Sequence, residues 1–378
     1  MRRNILLAIF ILCIPSLKSN AQEEADTINI FNVITDNIFR VHCKPYDTNR
    51  DGVLSLREVS WITEMDLGLN VVHSLAGIEY FVNLEKLNCS WNRIIELDLS
   101  HNTKLTELYC NNNRLTTLVL GKNNFLVDVD CGKNHLTELD ASGCPELVKL
   151  SCADNKLAVL NTNGCHRLSK LKCHNNQLIS LDLSSNTLLS ELTCNNNRLE
   201  SLITGANAML YRTNCDDNRL SALDIGNNRG LIWLHCNNNL LAALDISLNK
   251  SLSELYCNNN DLDSLCLTKN TGLKNLSCDN NKLTTLNVSR NAALCYLSCS
   301  GNGLTVLDIS DNKVLTDLLC SNNDLRELNI ANAILQRLSS KHNPNLKKII
   351  VPEGFDLEEP TISIPEINKD NHSEFSKL

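Results

Sequence analysis

Aromatic residues make up only 4% of this 378-residue chain, and no extended run of basic residues occurs. With a formal net charge of −8, the lack of a basic patch disfavours nucleic acid and anionic membranes as partners. Beyond residue 21 no apolar stretch approaches the roughly 20 residues that cross a bilayer. Catalytic signatures are missing as well. The nine histidines (His42, His73, His101, His135, His166, His174, His235, His342, His372) are scattered without an H-E-x-x-H spacing. No G-x-S-x-G, P-loop or dinucleotide fingerprint is present. These absences argue against an enzyme and turn attention to binding.

What is present begins with a leader. Arg2 and Arg3 form a basic start, Ile5 to Pro15 an apolar stretch, and Ser19-Asn20-Ala21 a small-residue cleavage site. Residues 1–21 therefore read as an export signal, and the protein is expected to be secreted or placed at the cell surface. A retained anchor is the alternative. Bulky Leu12 before Cys13 argues against a lipoprotein site.

Eighteen cysteines in an exported chain would ordinarily imply a disulfide framework, but their spacing says otherwise. Twelve of them, from Cys89 to Cys320, recur every 21 residues. Counting each as position zero, Asn occupies plus three throughout (Asn92 to Asn323) and Leu plus eight (Leu97 to Leu328). Leu fills minus five (Leu84 to Leu315), and also minus two except at Val129 and Thr213. The unit L-x-x-L-x-C predicts a short strand, and stacked copies predict a parallel sheet rising about 4.8 Å per rung, roughly 55 Å for twelve rungs. The plus-three amide is expected to satisfy backbone groups where the chain leaves the strand. A second extended segment, as in Leu97-Asp98-Leu99, is expected on the opposite side. Stacked cysteines would have parallel Cβ vectors too far apart for disulfides, so they read as buried free thiols. Cys144 and Cys165 both replace the Asn at plus thirteen in adjacent repeats. They are expected near the surface, and a disulfide between them is an open alternative.

Ahead of the repeats, residues 47–58 fit the pattern D-x-[DN]-x-[DN]-G-x5-E. Calcium needs six or seven oxygens, and Asp47, Asn49, Asp51, the Val53 carbonyl, Ser55 and bidentate Glu58 would supply them around Gly52. Helical periodicity over 28–43 and 56–65 predicts flanking helices, which makes an EF-hand-like cap with structural Ca2+ the expectation. An acidic turn without metal is the plainer reading.

The 21-residue unit resembles the leucine-rich repeats of cysteine-ladder, internalin-like bacterial proteins. The resemblance spans residues 65 to about 340 and includes an opening repeat, Met65-Asp66-Leu67 then Ser74-Leu75-Ala76-Gly77-Ile78, that takes 22 residues to reach Cys89. It implies a right-handed, mostly β solenoid with a parallel concave sheet, short turns and a small helical N-terminal cap. The expected layout is leader 1–21, cap 22–64, solenoid 65–340, and a C-terminal cap with flexible tail over 341–378. No wall-sorting motif or hydrophobic tail follows, unlike in anchored proteins of that type.

Strand positions minus three and minus one, with plus one and plus two after them, are expected to project from the concave sheet. Arg212, Trp233, His235, Tyr256 and Tyr296 cluster on that face although aromatics are scarce. Trp, Tyr and Arg dominate binding hot spots. The expectation is a monomeric adhesion-type protein that takes a protein or glycan there; the alternative is an envelope structural protein without a diffusible ligand.

Overall fold

The computed structural model describes residues 28–351 and the strand Glu374–Lys377. The proposed leader lies outside the described residues. The chain winds into a solenoid whose concave wall is one parallel sheet of fourteen three-residue strands, from Glu64–Asp66 to Arg337–Ser339. Successive strands pair with a 21-residue offset, as in Trp233↔Glu254. The first step takes 22 residues (Glu64↔Lys86) and the last takes 20 (Asp317↔Arg337). The repeat register read from the sequence is thus the register of the sheet.

The middle residue of each strand, at minus two, points into the core, while minus three and minus one lie on the concave side; there Ser277 and Ser298 are buried and hydrogen-bonded to Asn258 and Asp279. All twelve ladder cysteines are fully buried free thiols, packed with the leucines in one continuous core. The polar spine follows the expectation. Asn260 Nδ2 donates to the carbonyls of Cys236, Cys257 and Asn258 (3.0–3.1 Å), and its Oδ1 accepts Leu241 N–H at 3.0 Å.

A second column was not foreseen. Position plus two, taken as a face-forming site, turns the chain out of the sheet in the left-handed region, at φ 52–58° from Trp91 through Asn280 and again at Asn322. Asn and Asp tolerate that conformation better than most residues, which accounts for their dominance in this slot. Gly301 takes the same slot at φ 67°.

The opposite side is less regular than predicted. Paired strands occur at Glu96–Asp98 with Thr117–Val119, Glu138–Asp140 with Val159–Asn161, and Ser180–Asp182 with Ser201–Ile203. Inward from them runs the plus-thirteen Asn column. Asn249, Asn270, Asn291 and Asn312 donate through Nδ2 to carbonyls of earlier turns, yet each Oδ1 is buried without a partner. The exceptions explain the rule. Thr162 Oγ1 donates to Asn186 Oδ1 at 2.9 Å and Thr204 Oγ1 to Asn228 Oδ1 at 2.7 Å, from a slot that holds an apolar residue elsewhere. Val288 is that slot's residue for Asn312. We expect Val288→Thr to be neutral or stabilising, although burying a hydroxyl without a partner costs about 1–3 kcal/mol. Val129→Thr is the control, because it reproduces the site of Thr213, whose Oγ1 is buried and unpartnered. Equal losses for both in thermal melts would contradict this.

Three expectations need correction. Cys144 and Cys165 are not near the surface; both are fully buried, and Cys165 Sγ donates to Ala141 O at 3.1 Å. Both are free thiols. The predicted helices shrink to α1 (Asn37–Cys43) and the single turn α2 (Leu56–Val59). Asp36 caps α1, its Oδ1 accepting Ile38 and Phe39 N–H, so the helix starts there. Upstream, Ile30 N–H is spent on Leu54 O instead. After α2, Met65 is drawn into the first rung opposite Leu87. Finally, the last residues are not all loose tail: Glu374–Lys377 pairs in parallel with Lys348–Val351, whose edge would otherwise leave backbone donors and acceptors open.

Candidate concave-face patch and acidic loop

Parallel in-register stacking sets identical repeat positions side by side, so the sheet writes the sequence into columns. Arg212 and Trp233 are direct neighbours in the minus-three column, and the guanidinium carbon lies 4.7 Å from the Trp233 ring centroid. In the minus-one column His235 stacks on Tyr256, with centroids 4.5 Å apart and planes at 17°. Trp233 stays 37% exposed, whereas His235, Tyr256 and Tyr296 are half-buried. Tyr296 stands two rungs beyond the strand of Tyr256, across Asn275. Burial, the Glu254 charge and Tyr296 together raise the Tyr256 phenol above its ordinary range. The five predicted residues therefore share one continuous face.

Sequence reasoning missed the carboxylate that anchors His235. Glu254 accepts from His235 Nε2 at 2.6 Å through Oε1, and from Asn275 Nδ2 at 3.1 Å through Oε2. It follows Trp233 in the same column, and that position was the available signal. Beside the patch, in the plus-one column, runs a relay: Asp216 accepts Asn237 N–H, Asn237 accepts Asn258 N–H, Asn258 accepts Asp279 N–H and Asp279 accepts Ser300 N–H, at 2.6–2.8 Å. Burial raises the carboxyls of Asp216 and Asp279 despite these donors.

The acidic loop, residues 47–58, bends through Arg50 (φ 61°) and Gly52 (φ 82°). Asp47 Oδ2 accepts Gly52 N–H at 3.0 Å, while its Oδ1 is buried with no partner. Asn49 and Asp51 hydrogen-bond each other, and Asp51 Oδ1 accepts Val53 N–H at 2.7 Å. Glu58 folds back over the loop: Oε1 accepts Thr48 N–H at 2.8 Å, and Oε2 accepts the Ser55 N–H and hydroxyl. Burial would raise its carboxyl, but the Ser55 and Thr48 donors outweigh that and hold it at about 2. Its contribution to stability is thus present above the ordinary glutamate range and lost as pH falls towards 2. Among the described residues, no three His, Cys, Asp or Glu side chains converge as a metal site. Leu54 is fully buried, and its N–H donates to Asn29 Oδ1 at 3.1 Å.

No described protein family matches this chain, and no curated protein does. Solved structures do. The functional domain of InlJ from Listeria monocytogenes, which includes a cysteine ladder, is 29% identical over 85% of this chain and 75% of its own, with a TM-score of 0.60. A leucine-rich-repeat protein of Leptospira interrogans is 22% identical, covers 79% of each chain and scores 0.61. An internalin, InlF, from Listeria monocytogenes is 20% identical over 85% of this chain and 96% of its own, with a score of 0.60. No helix among the described residues is long and apolar enough to cross a membrane. The chain has the leucine-rich-repeat fold, a parallel-sheet solenoid similar to those of cysteine-ladder, internalin-like bacterial proteins.

Proposed function

We propose that this chain is an exported binding protein, secreted or held at the cell surface, that engages a protein or glycan through its concave sheet in an adhesion-type role. The carrying observation is the contiguous Arg212–Trp233 and His235–Tyr256 pairs on one face, with Tyr296 two rungs further along it. Likeness to leucine-rich-repeat proteins supports a binding role in general. The test is capture from cell-surface protein and glycan libraries with the wild type and a Trp233→Ala/Tyr256→Ala double variant. Truncating a hot-spot aromatic costs about 2 kcal/mol or more, so the variant is expected to bind at least roughly thirty-fold more weakly. Unchanged capture by a folded variant would instead favour an envelope structural role without a diffusible ligand.

A second reading concerns the loop. We propose that Asp47, Asn49, Asp51, Val53, Ser55 and Glu58 hold Ca2+, which would clamp the cap to the first turn. The unpartnered, buried Asp47 Oδ1 supports this, because a carboxyl oxygen left without a donor suits a cation. Glu58 would have to leave the Thr48 amide to reach the ion. Saturating calcium is expected to raise the melting temperature of the N-terminal part; a hundred-fold excess over Kd is worth about 2.7 kcal/mol. Asp47→Ala should abolish the shift. An identical melt in calcium and in chelator would leave the loop as an acidic turn.

A further inference from the structure

Charge is distributed unevenly along the concave wall. In its N-terminal half, acids and bases cancel in adjacent rungs: Lys86 lies 3.6 Å from Glu64 and 3.5 Å from Glu107, Lys149 3.2 Å from Asp128, and Lys170 2.5 Å from Glu191. From the rung of Trp233 to that of Leu319 the outward positions contain Glu254, Asp279 and Asp317 and no Lys or Arg at all. Asp216 adds a carboxylate at the border, and Arg212 is the flanking cation, already laid on Trp233. Glu254, Asp216 and Asp279 have no Lys or Arg ion-pair partner among the described residues.

The rings themselves narrow the choice further. Sugars stack on open aromatic faces, but here Arg212 lies over Trp233, and His235 and Tyr256 lie against each other. One face of each of these three rings is thus already covered, and the ring edges, which carry partial positive charge, suit the carbonyl oxygens of a polypeptide. Surrounding carboxylates supply the opposite complement, for cationic side chains.

From this, and resting on the concave-face reading above, we infer that the partner of the C-terminal half is a basic polypeptide segment, its Lys or Arg side chains set against Glu254, Asp279 and Asp216 and its backbone against the aromatic edges. An acidic partner would meet like charge along this stretch.

The probes are dodecalysine, dodecaglutamate and chitohexaose, titrated into the full chain by calorimetry in low and in high salt. Dodecalysine is expected to bind, more weakly in high salt. Because a polycation can adhere to any acidic protein, the variants decide. A Glu254→Gln/Asp279→Asn double variant keeps an oxygen acceptor at both sites and should lose about ten-fold in affinity, near 1.4 kcal/mol. Asp182→Asn/Asp245→Asn, on the opposite side, should stay within two-fold. Equal affinity of both variants for dodecalysine would overturn the inference. So would binding of chitohexaose or dodecaglutamate that Trp233→Ala abolishes, although that outcome would leave the concave-face reading standing. If Trp233→Ala alters the binding of no probe and of no captured ligand, the reading itself fails.

Discussion

Asn260→Ala is expected to destabilise the protein by about 3–5 kcal/mol, one of the two largest effects foreseen here. The side chain makes four hydrogen bonds, three to backbone carbonyls and one from the Leu241 amide, all in or near the core. An alanine offers none of these. A buried polar group left unpaired costs about 1–3 kcal/mol, and partial relaxation reduces the sum over four. Each repeat touches only its neighbours, so the damage falls on the interfaces around Cys257, and unfolding should separate into two steps there. The control is the preceding residue in the chain. Asn259 sits at φ 54° and is exposed, and its side-chain hydrogen bonds to Asn238 and Asn280 are open to water, so Asn259→Gly should change stability by only about 1 kcal/mol, as Gly301 already fills that slot. Similar melts for the two variants would remove the asparagine spine from the account.

Native thiol reactivity should differ between sites by three orders of magnitude or more. Burial pushes ladder thiols up: Cys89, Cys173, Cys257 and Cys320 stand at about 12, and Cys110 and Cys278 well above the ordinary range. The thiolate is the nucleophile, so at pH 8 a thiol at 12 is ionised only about once in ten thousand molecules, before access is considered. Cys266 differs on both counts. It is exposed, and hydrogen bonding from Thr268 lowers it. Alkylation of the folded protein should label Cys266 first and alone on the minute scale, with half-buried Cys295 following. In denaturant without reductant every remaining cysteine should react, Cys144 and Cys165 included. Rapid native labelling of ladder positions, or a pair that alkylates only after reduction, would contradict a thiol-lined core.

Legibility in the sequence tracked periodicity. Leu at minus two, Cys at zero and Asn at plus three are each required by a contact with the same position one turn away, so the requirement repeats and becomes readable. The columns bearing Trp233, His235 and Tyr256 were legible for the same reason. What escaped notice was dihedral or cooperative. The left-handed turn at plus two is concealed by Asn, which suits an exposed face equally well. The Glu254 contacts depend on two rungs at once. The helices flanking the acidic loop came out short because Asp36 and Met65 answer to the solenoid and not to local periodicity. His73 N–H bonds Asp36 Oδ2 at 2.8 Å, tying the cap to the first turn across 37 residues.

The central claim is that ligand lands on the concave patch around Trp233. The chain has three tryptophans, Trp61, Trp91 and Trp233, and only the last lies in that patch. With 5-fluorotryptophan incorporated, each gives one fluorine resonance, assigned by single Trp→Phe variants. Titration with a ligand recovered by capture should move the Trp233 resonance and leave those of Trp61 and Trp91 in place. A saturating ligand that shifts Trp61 or Trp91 while Trp233 stays still would contradict the account.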